Sequence, residues 1–203
     1  MPISQLSQQR CTTLRSAGAI VIDLRAYAEH LAQRPRGSVS LQFEAGPGFG
    51  GRARDLLRLG SSLIIIDDGH QPIDDAAAML HGKGFAVNGY VRLEDSPQII
   101  ETKVVDVDDA RDLELLNVAD PGTIEVPNAR FIPAEDLWTR VDSLQPNYRI
   151  GVLAGWGLRA AAAIGILEML GFEDPVFVRT LPAGTKPRTT SADQRIFRVG
   201  GPG

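Results

Sequence analysis

The stretch Arg149-Ile-Gly-Val-Leu-Ala-Gly-Trp-Gly-Leu-Arg159, followed by four alanines, constrains this chain more than any other part of it. Ile150 to Leu153 is an apolar run of strand length, Gly155 and Gly157 interrupt it, and an alanine-rich run of high helix propensity begins at once. A buried strand that passes into a helix within a few residues belongs to an α/β fold with a mainly parallel sheet. The glycines let the backbone turn so that successive N–H groups face one concavity. The helix adds its unpaired N-terminal donors and its positive dipole end. The sequence therefore predicts an anion cradle at Gly155, Trp156, Gly157, Leu158 and Arg159, suited to sulfate, thiosulfate or phosphate. The loop offers no nucleophile.

The same alternation runs along the whole chain. Apolar runs predict strands at residues 19–24, 39–43, 63–67, 86–87, 114–118, 130–132, 150–153 and 176–178. Composition and spacing predict helices at 26–33, 52–59, 74–81, 134–144 and 158–170, with another over 7–15 before the first strand. Gly82, Gly84 and Gly171 stand where helices should stop. Leu63-Ile-Ile-Ile66 is apolar without interruption, as a parallel strand covered on both faces must be.

The order of motifs repeats. Val21-Ile-Asp-Leu-Arg25, Tyr27-Ala-Glu-His30 and Pro35-Arg-Gly-Ser-Val39 in the first half are matched by Leu115-Leu-Asn-Val-Ala-Asp120 and Val126-Pro-Asn-Ala-Arg-Phe-Ile-Pro133 in the second. Ser62-Leu-Ile-Ile-Ile-Asp67-Asp-Gly-His-Gln-Pro72 corresponds to the strand and loop at 150–159, and Gly84-Phe85 to Gly171-Phe172. On these residues the chain resembles the tandem rhodanese-like sulfurtransferases, whose opening strand carries an Asp-x-Arg signature. The resemblance implies two rhodanese-like domains, each a mainly parallel sheet flanked by helices. The implied boundaries are an inactive-type domain over 1–95, an acidic linker over 96–112, a domain with a degenerate loop over 113–182, and a tail over 183–203.

In that family the loop that matches the one after Leu153 opens with a cysteine that carries sulfur as a persulfide. Ala154 stands at that place here, so the resemblance implies no catalytic residue. Asn117 and Ala119 also depart from the signature, occupying the places of its aspartate and arginine. In the first half the corresponding loop begins at Asp67, whose charge repels anions, and an aspartate there resembles the inactive first domains of tandem sulfurtransferases. Asp67, Asp68, His70, Asp74 and Asp75 lack a recognised metal-ligand spacing, and acidic residues at a helix start are favoured by its dipole in any case. We expect no metal and no cofactor.

Composition narrows the partners. The formal charge of −4 and pI near 5.4 leave no electrostatic footprint for nucleic acid or an anionic membrane. No apolar run approaches the roughly 20 residues that span a bilayer. Met-Pro-Ile-Ser-Gln-Leu lacks a basic region followed by an apolar core, and the expected location is cytoplasmic. The single cysteine, Cys11, cannot form an internal disulfide and reads as a plain helix residue, although Arg10 and Arg15 flank it. Trp156 reads as a residue packed against the other domain. The basic tail stretch Arg195-Ile-Phe-Arg-Val199 could add a strand to a sheet edge.

Three functions stay open at this point. The first is a catalytically silent rhodanese-like protein in sulfur-related metabolism, binding a small oxyanion or a sulfur-carrying protein through the second loop. The second is a thiosulfate or mercaptopyruvate sulfurtransferase with Ala154 in place of its cysteine. The third is a structural subunit of a larger assembly. Asn117 and Ala119 weigh against the second, because loss of the nucleophile alone would leave the signature intact.

Overall fold

The computed structural model describes residues 2–43, 48–144 and 148–180. The tail at 183–203 and its expected strand lie outside the described residues. The first half runs α1 (Gln8–Ser16), β1 (Ile20–Asp23), α2 (Tyr27–Ala32), β2 (Arg34–Pro35), β3 (Val39–Ser40), α3 (Gly48–Leu56), β4 (Ser62–Asp67), α4 (Ile73–His81) and β5 (Ala86–Arg92). The second runs β6 (Ile99–Ile100), β7 (Val104–Asp106), β8 (Glu114–Asn117), β9 (Arg130–Phe131), α5 (Leu137–Arg140), β10 (Ile150–Leu153), α6 (Leu158–Met169) and β11 (Val176–Arg179).

Two parallel sheets flanked by helices result, ordered β3-β1-β4-β5 and β7-β11-β10-β8-β9. Apart from the added edge strand β7, the second order retraces the first. The register makes the repeat concrete. Asp23 lies opposite Ile66 across β1 and β4, and Asn117 lies opposite Leu153 across β8 and β10. The next residues, Asp67 and Ala154, therefore occupy the same position at the ends of their central strands. Even the turn chemistry repeats: the Arg25 amide donates to Asp23 Oδ1 at 3.0 Å, and the Ala119 amide to Asn117 Oδ1 at 3.0 Å.

The halves share one apolar core, in which Ile22, Leu63 and Ile65 of the first sheet join Leu116, Val152 and the α6 residues Ala160 to Ile164. Residues 160–167 of α6 are all buried, which explains why this helix is apolar on every side: it lies against β3 of one sheet and β10 of the other. Close approach depends on Gly165, where a Cβ would overlap the Ser38 carbonyl just before β3. A glycine in mid-helix weakens intrinsic helicity by about 1 kcal/mol, and the helix–strand contact it allows offsets that cost. Among the described residues no helix is long and apolar enough to cross a membrane.

Two expectations need correction. Residues 96–112 are mostly exposed yet join the sheets as well as linking the halves: Ile99 and Ile100 form β6 against β2 of the first half, while Val104 and Val105 lie in β7, the edge of the second sheet. The buried residues of this acidic stretch are Thr102 and Ala110, and the Thr102 amide donates to the Leu31 carbonyl at 2.8 Å. The single helix over 134–144 is broken into a 3-10 turn at Ala134–Asp136, the four-residue α5, and a second 3-10 turn at Val141–Ser143. Thr139 and Ser143 turn their hydroxyls back to the carbonyls of Asp136 and Arg140 three residues earlier, which suits tighter winding.

Candidate functional site

The second central strand delivers the site. Its apolar residues Ile150 to Leu153 are all buried between β8 and β11, so the chain emerges at Ala154 at a fixed point. Ala154 itself is 6% exposed. Gly155 and Gly157 then take positive φ angles of 58° and 86°, and Gly157 caps α6. Gly157 is required twice over, because a Cβ there would also come within 2.8 Å of the Tyr27 ring. With no side-chain cap at Gly157, the N-terminal amides of α6 are offered to whatever occupies the space beyond. Among the described residues, no acceptor takes the N–H groups of Gly155, Trp156 or Gly157.

That space is a cleft of about 480 Å³ between the halves. Gly155, Trp156 and Gly157 form one side, Tyr27, Ala28 and Leu31 of α2 another, and Val104, Phe177 and Arg179 the sheet side. The Tyr27 and Phe177 rings stack across the junction with centroids 6.2 Å apart and planes 20° from parallel. Trp156, expected to pack on the other half, lines this cleft and remains 37% exposed.

Arg159, the fifth predicted cradle residue, is turned elsewhere. Its guanidinium donates to Asp120 Oδ1 at 2.6 Å and to Glu135 Oε2. Leu158, its neighbour, opens α6 and is not among the residues lining the cleft. The structure thus brings Gly155, Trp156 and Gly157 together around the cleft, and it places the Arg159 charge between two carboxylates. Sequence reasoning had no means to find those partners, which lie 39 and 24 residues away.

No thiol serves this cleft. Cys11 is buried in a separate cluster with Val21, Ile64, Ile66 and Val91, on the far face of the first sheet. Burial pushes its thiol up from the ordinary value, against a weaker downward pull from Arg15. A buried thiol so shifted is a poor source of thiolate.

The equivalent loop of the first half is a closed turn. Asp67 Oδ1 accepts the Gly69 amide at 2.8 Å, Asp68 Oδ1 accepts the His70 amide at 3.0 Å, and Arg92 Nε stands 3.7 Å from Asp67 Oδ2. Asp74 instead accepts the Ile3 amide, which ties down the N-terminal segment.

Beside it lies a buried polar group that the sequence placed but did not explain. Asp23 accepts both Nε and Nη2 of Arg25, the latter at 2.6 Å, and contacts His30 Nδ1 at 2.9 Å. Burial works against the Asp23 carboxylate, but the hydrogen bonds from His30 and Arg25 outweigh it and hold the carboxyl at about 2. Burial pushes His30 below its ordinary value, aided by Arg34 and Arg25 and opposed by Asp23. This group anchors the turn from β1 into α2 and thereby positions Tyr27 at the cleft.

No protein-family model matches the sequence, and no curated protein matches it. Solved structures with partial likeness include a rhodanese-related protein from Thermoplasma volcanium, 24% identical over 38% of this chain and 84% of that one, with a TM-score of 0.35. The thiosulfate sulfurtransferase of Pseudomonas aeruginosa is 16% identical, over 88% of this chain and 43% of its own, with a TM-score of 0.38. The 3-mercaptopyruvate sulfotransferase SseA of Escherichia coli is 16% identical, over 84% of this chain and 95% of that one, with a TM-score of 0.34.

Proposed function

We propose that this chain is a catalytically silent rhodanese-like protein of sulfur-related metabolism. On this reading the cleft beyond Ala154 binds a ligand with an acceptor group, either a small molecule or the exposed end of a sulfur-carrying protein, and does not turn it over. One observation carries the reading. The strand-to-helix loop, its two glycines and the cleft are all present, while the position that would hold a nucleophile is a buried alanine and the chain's one thiol faces a different core.

The loop's role follows from its donors. Amides without acceptors, on a backbone fixed by Gly155 and Gly157 and at the positive end of α6, favour an oxygen or sulfur acceptor at no cost in side-chain ordering. Binding there needs no proton transfer and no covalent step, so loss of the cysteine removes chemistry while leaving recognition in place.

The test is sulfur transfer from thiosulfate or mercaptopyruvate to cyanide, measured for the parent chain and for Ala154→Cys. The parent should show only the uncatalysed rate, and Cys11→Ser should change nothing. Ala154→Cys should acquire a thiol whose pKa lies below the reference of about 8.5, because the loop donors stabilise a thiolate. Turnover by the parent that survives Cys11→Ser overturns silence. An unshifted thiol in Ala154→Cys means that the amides do not converge.

A further inference from the structure

Resting on the reading that the cleft is a binding site, we propose that its ligand is a flat, uncharged ring compound bearing a carbonyl-type acceptor, and not a free inorganic oxyanion.

Size and walls come first. At about 480 Å³ the cleft falls in the range of sites for organic ligands, roughly 300–1,000 Å³. Three aromatic residues line it, Tyr27, Trp156 and Phe177, with Leu31 and Val104 between them. Tyr27 presents half-buried ring surface backed by the buried Phe177 ring, and Trp156 adds a third ring with over a third of its surface uncovered. Such walls gain little from a sulfate ion and much from a flat apolar body.

Charge decides the rest. Arg179, the guanidinium among the described lining residues, is already met by Asp106 at 2.9 Å, while Arg159 lies outside the lining and is held by Asp120 and Glu135. Glu101 adds a further carboxylate to the lining. A carboxylate on the lining and a guanidinium already paired leave little among the described residues to attract a free anion. The donors that remain among the described lining residues are neutral. Thr102 Oγ1 accepts from Arg34 Nε at 2.7 Å, which leaves its own proton to be donated. Thr180 Oγ1 is fully shielded and has no partner among the described residues. Both threonines line the cleft, together with the open loop amides. Among the described residues, a set of hydroxyls and amides without a free cation in the lining matches a neutral acceptor such as an amide carbonyl.

Benzamide, benzoate and sulfate serve as probes, titrated into the full chain and followed by ligand-observed NMR. Benzamide should bind, benzoate should bind at least about tenfold more weakly, and sulfate should neither bind at millimolar concentration nor displace benzamide. Thr180→Val should weaken benzamide about fivefold, as loss of one hydrogen bond does. Trp156→Ala, checked for native circular dichroism, should abolish measurable binding. Sulfate or benzoate binding as tightly as benzamide overturns this proposal and leaves the cleft as an anion site. Benzamide binding that is unchanged in both variants overturns it by placing the ligand elsewhere. No binding by any probe overturns it together with the binding half of the proposed function, whereas catalytic silence is judged separately by the sulfur-transfer assay.

Discussion

Arg34 and Glu168 stand 134 residues apart in the chain and meet inside it, where both guanidinium nitrogens lie 2.7 Å from the two carboxylate oxygens. The side chains are 1% and 2% exposed. Glu168 Oε2 also accepts the Gly37 amide at 2.6 Å, and Arg34 Nε reaches Thr102, so the remaining polar atoms of the pair are satisfied as well. The pair joins the end of α6 to the segment between α2 and β3. It thereby fixes the two walls of the cleft relative to each other.

Removing one partner strands a buried charge. Glu168→Leu should therefore lower the unfolding free energy by about 3–5 kcal/mol. Replacing both residues, as Arg34→Met with Glu168→Leu, should recover much of that loss. Urea titrations of the single and double variants measure the difference, and equal stability of the two would mean the pair is not buried in solution.

Two glycines should respond to alanine with opposite signs. Gly165→Ala drives a Cβ into the Ser38 carbonyl and should destabilise by roughly 1–3 kcal/mol or more. Gly51→Ala, within α3 and with nothing within 4 Å of the added carbon, should stabilise by about 0.4–1 kcal/mol. Thermal melts of the two variants check the signs directly.

Acid should destabilise the fold in two steps. His30 is depressed in the folded state, so its contribution is complete above the ordinary value of 6.5 and declines as pH falls below it, because the unfolded chain takes up the proton first. Asp23, held at about 2 against an ordinary 3.8, contributes fully above about 4 and loses its contribution as pH falls from there toward 2. His30→Gln retains a donor for Asp23 but cannot titrate. In urea midpoints measured against pH, this variant should lose the upper step and keep the lower one.

The sequence made the central strands and α6 legible because each is a continuous apolar or alanine-rich run with glycine at its ends, and such runs survive any tertiary context. The turn between β10 and α6 was legible from Gly155 and Gly157, which separate those two runs. β5 was expected only at residues 86–87, where the apolar run ends before Asn88 and Gly89. In the structure the strand continues through Gly89 to Arg92 by way of a register shift against β4, with the backbone of Ser4 and Leu6 packed alongside. The cleft was beyond reach, since it arises where Tyr27 meets Phe177, 150 positions apart in numbering, and so was the turning of Arg159 away from it to Asp120 and Glu135. Pairings of that kind are set by how the two sheets pack on α6, which no local pattern records.

The intact mass of the protein after incubation with excess thiosulfate or mercaptopyruvate tests the central claim most directly. A sulfurtransferase retains one sulfur on its nucleophile after the donor leaves. With Ala154 at the strand end and Cys11 buried elsewhere, the mass should be unchanged, and Ala154→Cys under the same conditions supplies the positive comparison. Gain of one sulfur atom by the parent chain, lost again on addition of cyanide, would contradict the account.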